Sequence, residues 1–428
     1  MHKGPLPGFR DFYPDELAQR AHVTAAWRRV ARRFAFQEYD GPPLEPLDLY
    51  TKKSGEEIVG QLYAFADKGG REVSLRPEMT PTVARMVAAR ANALRKPVRW
   101  FSMPQLFRYE RQQKGRLREH FQLNVDIFGE AAVAADAELL AVAIDVMREL
   151  GLGPEDIVAR VSDRRLLNDY LLAVGAPEGS LADVYGVVDK LERVPADVSR
   201  ERLAALGLGP EAVAAVLELP TVDRAAFLDV LRAAGRFGEA AADFERYWEY
   251  LGALLPEGAS AWVRFDPSIV RGLAYYTGIV FELFDRKGEF RAICGGGRYD
   301  NLLEALGGVA MPALGFGMGD VVLGELLKAR GRMPAPAPSV DYWVAGDEPA
   351  VAPRVMSVAA RLRARDRSVE YALREQALGR QLKAAAAAGA RRVVILRAER
   401  LRDGEATVRH LADGSEETVR LDEWLESA

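Results

Sequence analysis

The chain has 428 residues, of which 49% are apolar and 28% charged, and its formal net charge is -4. This profile excludes a disordered or collagen-like chain and leaves room for two or three domains with a sizeable core. The total charge announces no nucleic-acid partner, although a local basic surface averages away in such a sum.

The single cysteine, Cys294, excludes an internal disulfide and a cysteine-based zinc site. The four histidines, His2, His22, His120 and His410, are too scattered to suggest ligand spacing, so no structural metal is expected. The first ten residues lack the apolar segment of a signal peptide. No run approaches the roughly 18 to 20 apolar residues of a membrane span. A cytoplasmic protein with no membrane association is the expectation.

In chain order, the first predicted element is a helix over residues 14–34, with Leu17, Val23, Trp27, Val30 and Phe34 in an approximate helical stripe. Gly41-Pro42-Pro43 breaks the pattern. Strand-like pieces follow at 72–75, 98–109, 121–128, 261–265, 279–284 and 291–294. Between about 163 and 258, Leu, Ala and Val recur at helical spacing with Gly-Pro and Pro-Glu breaks, which predicts a helical insertion in a first domain spanning 1–331. Residues 332–339 read R-M-P-A-P-A-P-S, an extended, semi-rigid linker. Beyond it, strands at 341–345, 369–373 and 392–396 alternate with helices at 350–365 and 377–388, predicting a second, α/β domain over 340–428 with parallel strand pairs.

Four segments can carry chemistry. Leu75-Arg76-Pro77-Glu78-Met79-Thr80-Pro81 places a carboxylate and a hydroxyl at a helix entrance. They suit either a helix cap or a clamp for an ammonium group. Phe107-Arg108-Tyr109-Glu110-Arg111 leads into a basic loop with Lys114, Arg116 and Arg118, which returns through His120, Phe121, Gln122 and Asp126. Arginine forks match phosphate oxygens, and a ring at the return can stack on a base, although charged loops are more often solvated tips. Arg271-Gly272-Leu273-Ala274-Tyr275-Tyr276-Thr277-Gly278 sets two hydroxyls before an apolar strand. In Cys294-Gly295-Gly296-Gly297-Arg298-Tyr299-Asp300, the glycines imply a positive-φ turn or a close backbone approach. Gly315-Phe316-Gly317-Met318-Gly319 fits no nucleotide-binding glycine fingerprint and reads as a strand packed tightly before a helix over 321–328.

Together these segments, with Pro7-Gly8-Phe9-Arg10-Asp11-Phe12, resemble the histidyl-tRNA synthetases, a family of class II aminoacyl-tRNA synthetases. The resemblance covers nearly the whole chain. R-G-L-A-Y-Y-T-G and G-G-G-R-Y-D are specific to that family and its close paralogue. F-R-Y-E-R with its basic loop resembles class II motif 2, and the first helix plus Pro42 resembles motif 1. The resemblance implies an α+β fold with an antiparallel sheet of about six or seven strands, a helical insertion and a C-terminal anticodon-binding domain. It implies a homodimer that uses ATP and Mg²⁺ to activate L-histidine as histidyl-adenylate and transfers it to tRNA(His).

It also implies roles. Arg108 and Arg271 would act at the α-phosphate, with Arg108 also meeting the histidine carboxylate. Glu110 would accept from the adenine amino group, and Arg116 would meet the outer phosphates. Glu78 and Thr80 would receive the histidine ammonium, with Gln122 nearby. Asp126 and Tyr276 would read the imidazole nitrogens, with Tyr275 lining the pocket. Either His120 or Phe121 would stack on adenine.

The chain departs from the family pattern at several points. Ala274 and Asp126 stand where Asp and Glu are usual. Motif 3 keeps its glycines, but Val321-Val322 replaces the usual Glu-Arg, so an arginine expected on ATP is missing; Arg298 is a candidate replacement. Two alternatives share part of the pattern: a regulatory subunit of ATP phosphoribosyltransferase, and a catalytically inactive RNA-binding relative. The segment from 340 onward and the intact basic loop speak against the former.

Overall fold

The computed structural model describes residues 4–51, 59–111, 115–270, 276–335 and 340–428. Arg271, Ala274 and Tyr275, the middle of the basic loop and the second half of the Pro/Ala linker therefore lie outside the described residues. The chain divides into two compact units, Met1–Pro334 and Ala335–Ala428.

In the first unit, the helix Pro14–Arg33 begins with Pro14, Asp15 and Glu16 and ends with Arg32 and Arg33. Proline suits a first helical turn, and the charges complement the helix dipole. The helix buries Val23, Ala26, Trp27, Val30 and Ala31, while Leu17, expected in the same stripe, is exposed.

Strands follow as β1 (Gln37–Glu38), β2 (Leu44–Pro46), β3 (Tyr63–Ala66), β4 (Glu72–Leu75), β5 (Val98–Ser102), β6 (Gln105–Phe107), β7 (Glu119–Phe128) and β8 (Ile157–Asp163). After a run of helices between Arg164 and Leu254 come β9 (Val263–Phe265), β10 (Ile279–Asp285), β11 (Cys294–Arg298) and β12 (Ala313–Gly319).

Among the described residues the main sheet has nine strands in the order β1-β5-β7-β12-β11-β10-β8-β9, with β6 also paired to β7. It is antiparallel at its centre and parallel at both ends, where β1 meets β5 and β8 meets β9. The sheet is thus larger and more mixed than the resemblance implied. A separate three-stranded sheet runs β2-β4-β3.

Three sequence expectations need correction. The strand expected over 98–109 is two strands, β5 and β6, interrupted at Met103-Pro104, because proline cannot donate to a ladder. The start of the strand expected at 261–265 is a helical turn, Ala259–Trp262. The strand expected at 291–294 begins only at Cys294 and runs through the three glycines. Those glycines are therefore not a turn. A Cβ on Gly296 would lie 2.4 Å from Phe316 Cβ, and one on Gly297 2.6 Å from the Ile279 carbonyl oxygen, so close strand packing explains the run.

The principal core joins the sheet to helices Pro14–Arg33 and Ala134–Glu149 and to the helices beyond Arg164. A second cluster sits around helices Thr80–Ala89 and Leu302–Gly307. Among the described residues the second unit holds five strands: β13 (Val340–Gly346), β14 (Val369–Tyr371), β15 (Ala390–Leu396), β16 (Glu405–His410) and β17 (Glu416–Arg420), in the order β14-β13-β15-β16-β17. The three strands anticipated from sequence pair in parallel, and β16 and β17 extend the sheet antiparallel.

Candidate active site

Side chains alternate across a strand, and β7 uses this strictly. His120, Gln122, Asn124 and Asp126 all face one cavity of about 320 Å³. Glu119, Leu123 and Val125 are buried, while Phe121 packs against Phe12 at 6.0 Å and lies 4.2 Å from the Arg20 guanidinium. The ring on the cavity wall is therefore that of His120, which separates the two candidates left open by the sequence.

The neighbouring strand makes the room. Gly315 lies opposite Asp126 in the β7–β12 register. A Cβ there would fall 2.1 Å from Asp126 Oδ1, and one on Gly317 would fall 2.8 Å from the Gln122 amide carbon. The alternate glycines of β12 thus leave the space that the long side chains of β7 occupy.

Glu78 and Thr80 also line the cavity. The N-cap of helix Thr80–Ala89 is Met79, and no side chain caps it. The capping explanation for this pair therefore fails. Arg108 Nε donates to the Pro77 carbonyl oxygen at 2.9 Å, which ties the basic strand to the Glu78 segment and leaves the rest of its fork for other partners. Arg116 Nη1 lies 3.1 Å from Glu110 Oε2. Tyr276, Glu282, Tyr299, Val321 and Val322 complete the wall.

Burial pushes the Asp126 carboxyl up to about 7, partly opposed by the hydrogen bond it accepts from the Tyr299 hydroxyl. Enclosure lowers His120 to about 3, and the charges of Arg108 and Arg10 add to this. One wall therefore carries a neutral imidazole and an acid poised near neutrality.

The structure brings together Glu78, Thr80, Arg108, Glu110, Arg116, His120, Gln122, Asp126 and Tyr276. Arg271 and Tyr275 lie outside the described residues. Arg298 is not on the wall. It donates through Nε to Asp136 at 3.1 Å and through Nη1 to the Glu130 carbonyl oxygen at 3.0 Å and to Asp300 at 3.3 Å. Arg298 is thus committed to holding β11 against helix Ala134–Glu149, and it does not replace the missing motif 3 arginine in this cavity. Asn124, Glu282 and Tyr299 were not singled out from sequence. The period-two pattern through His120, Gln122 and Asp126 signals Asn124, whereas Glu282 and Tyr299 reach the wall only through strand pairing.

Residues 8–319 match the family described as histidyl-tRNA synthetase, and residues 343–427 match the anticodon binding domain. A histidine--tRNA ligase of Opitutus terrae is 45% identical over 417 residues, covering 97% of this chain and 95% of that protein. The chloroplastic/mitochondrial histidine--tRNA ligase of Arabidopsis thaliana is 39% identical, covering 97% and 85%. In fold, the chain is similar to a histidyl-tRNA synthetase from Nostoc sp. PCC 7120, with a TM-score of 0.85 at 22% identity and coverage of 100% and 99%. It is also similar to an ATP phosphoribosyltransferase regulatory subunit/histidyl-tRNA synthetase from Bacillus halodurans, with a TM-score of 0.76 at 22% identity and coverage of 93% and 99%.

Two stability measurements check this geometry. Arg298→Met should cost about 3–5 kcal/mol in denaturant unfolding, because it leaves Asp136 buried without its partner. Gly315→Ala should cost about 1–3 kcal/mol, because the new methyl group collides with Asp126. A loss within experimental error for either variant would contradict the contacts described.

Proposed function

The chain belongs to the histidyl-tRNA synthetase family, and from that premise we propose how its cavity divides between the two small substrates of histidine--tRNA ligation. The enzyme joins L-histidine to tRNA at the expense of ATP. In our reading, histidine occupies the end of the cavity at Asp126 and Tyr276, and ATP the end at Arg108, Glu110, Arg116 and His120.

The observation that carries this reading is one cavity walled by a buried acid, two phenols, two arginines and three further carboxylates. A neutral imidazole has one N–H donor and one acceptor nitrogen. Ionised Asp126 accepts from the first, and the Tyr276 hydroxyl donates to the second. An apolar analogue would leave both groups unpaired, so selectivity arises at binding.

Glu78 and Thr80, with Gln122, receive the ammonium group. Arg108 then holds the histidine carboxylate against the α-phosphate, with Arg271 supplying further positive charge there and Tyr275 lining the pocket. The carboxylate oxygen attacks the α-phosphorus, the bond to the bridging oxygen breaks, and pyrophosphate leaves. The attacking group is already an oxyanion, so positioning and charge neutralisation dominate over base catalysis. The terminal ribose hydroxyl of the tRNA then attacks the acyl carbon and displaces AMP.

Glu110 accepts from the adenine amino group, while Arg116 turns from Glu110 to the outer phosphates. Phe121 and Arg298 take no part. No cluster of three or more metal-ligating side chains occurs among the described residues. Mg²⁺ would arrive on the ATP phosphates, since that ion commonly takes only one or two protein carboxylates, and Glu282 on the wall would hold it. We further propose a homodimer, with the exposed Leu44 and Phe65 on the three-stranded sheet at its interface. The alternative role as a phosphoribosyltransferase regulatory subunit is less supported, given the anticodon-binding match over 343–427.

Histidine-dependent exchange of pyrophosphate into ATP tests the assignment; purified protein that binds neither histidine nor ATP would sink it. Histidine affinity should rise with pH and level off above about 7, where Asp126 has lost its proton. In the free enzyme the sign is opposite. The raised acid contributes stability below its unfolded value near 4 and loses it as pH climbs through about 7. Asp126→Asn should raise the histidine KM by about 10- to 100-fold, through loss of a charge-assisted hydrogen bond. It should also remove the Asp126 contribution to the pH dependence.

A further inference from the structure

The N-terminal segment Pro7-Gly8-Phe9-Arg10-Asp11-Phe12 has no part in the chemistry above, yet it is fastened to the wall of the cavity. Arg10 Nε donates to Glu119 Oε1 at 2.6 Å, and Arg10 Nη1 donates to Asp320 Oδ2 at 2.9 Å. Both carboxylates are buried, Glu119 at 1% and Asp320 at 7% exposure. Their remaining oxygens are also used. Asp320 Oδ1 accepts the Phe121 N–H at 2.9 Å, and Glu119 Oε2 accepts from Gln105 at 3.0 Å.

One guanidinium therefore joins the first residue of β7 to the first residue of helix Asp320–Ala329. The same segment grips β7's approach again, where the Arg118 N–H donates to the Gly8 carbonyl oxygen at 2.9 Å. Gly8 has φ +88°, and a Cβ there would lie 2.6 Å from Arg118 Cγ. The N-terminal segment is thus built against this strand.

His120 sits between Glu119 and Phe121 in sequence and faces the cavity, while Gly319, Val321 and Val322 flank Asp320 and line it as well. We propose that Arg10 is a positioning residue for the nucleotide end of the cavity: its two carboxylate contacts fix the spacing between His120 on β7 and the valines on the helix, and so set the slot that receives the base. This rests on the placement of ATP proposed above.

The physical case is one of geometry and charge. A planar guanidinium can satisfy two carboxylates at once, which a single ammonium does less well. Without it, Glu119 and Asp320 become neighbouring buried acids with no cation between them, an arrangement disfavoured by both repulsion and desolvation. Asp320 then releases the Phe121 N–H, and the helix start carrying Val321 and Val322 is freed from β7. The histidine end is held independently, by the Tyr299–Asp126 hydrogen bond and by the Gln122 N–H donating to the Pro104 carbonyl oxygen at 3.1 Å.

The test is a double-mutant cycle on the full chain, with ATP and histidine titrated separately by calorimetry into the wild type, Arg10→Met, Asp320→Asn and the double variant. Each single substitution should weaken ATP binding about tenfold and change histidine binding by less than about threefold, with the double variant no weaker than the worse single. Arg10→Lys should fall between wild type and Arg10→Met, and it takes that variant's place in the cycle if Arg10→Met does not fold. Unchanged ATP affinity, equal losses for both ligands, or additive losses in the double variant would overturn the proposal. A wild-type protein that binds neither ligand would instead overturn the functional reading beneath it.

Discussion

The site depends on the contact between β7 and β12. Two neighbouring antiparallel strands usually fill their shared face with side chains from both. Here β12 contributes glycine at 315, 317 and 319, so β7 alone fills it. Asp126 and Gln122 extend across the neighbouring backbone, where a Cβ at 315 or 317 would collide with them. The cavity exists because one strand gave up its side chains on that face.

A second consequence is electrical. Placing an acid over a glycine strand surrounds it with backbone and aromatic rings rather than water. Asp126 accepts a hydrogen bond from the Tyr299 hydroxyl, and burial moves its titration toward neutrality. Tyr39, Trp100, Tyr276 and Tyr299 form the aromatic surroundings. Among them, the Tyr39 phenol is itself pushed up by burial and by the Asp126 charge. In the function proposed above, such a carboxyl meets a ring nitrogen with little further loss of solvation, since its own solvation is already poor. Farther along the same strand, His120 stays neutral and offers a flat face.

Much of this was legible in the sequence because it is local. Period-two alternation through His120, Gln122 and Asp126, the basic loop and the glycine runs all announce themselves in short windows. The helix at 14–34 and the alternating C-terminal elements were equally clear from periodicity. What escaped is long-range. Arg298 sits in a motif that suggests a nucleotide contact, but its position is decided by Asp136, 162 residues away. Tyr299 and Glu282 reach the wall only because β10, β11 and β12 are neighbours. The break at Pro104 was a local signal, outweighed in the sequence reading by the apolar residues around it. His120 and Phe121 could not be told apart by composition, because either ring is chemically suitable; the register of β7 puts His120 on the cavity wall and Phe121 away from it.

The parallel pairing of β8 with β9 has a further implication. The chain leaves the sheet at Asp163, passes through a succession of helices and returns at Val263 beside the strand it left, with Ala159 opposite Val263 and Val161 opposite Phe265. The helical block is in effect one greatly lengthened crossover, anchored at both ends on the sheet's margin and away from β7 and β12. Because closing a longer loop adds only a slowly growing entropic cost, lineages could enlarge, shrink or exchange this block while the central strands kept their register. Rapid divergence in that block, beside a constrained sheet, is what such an architecture permits.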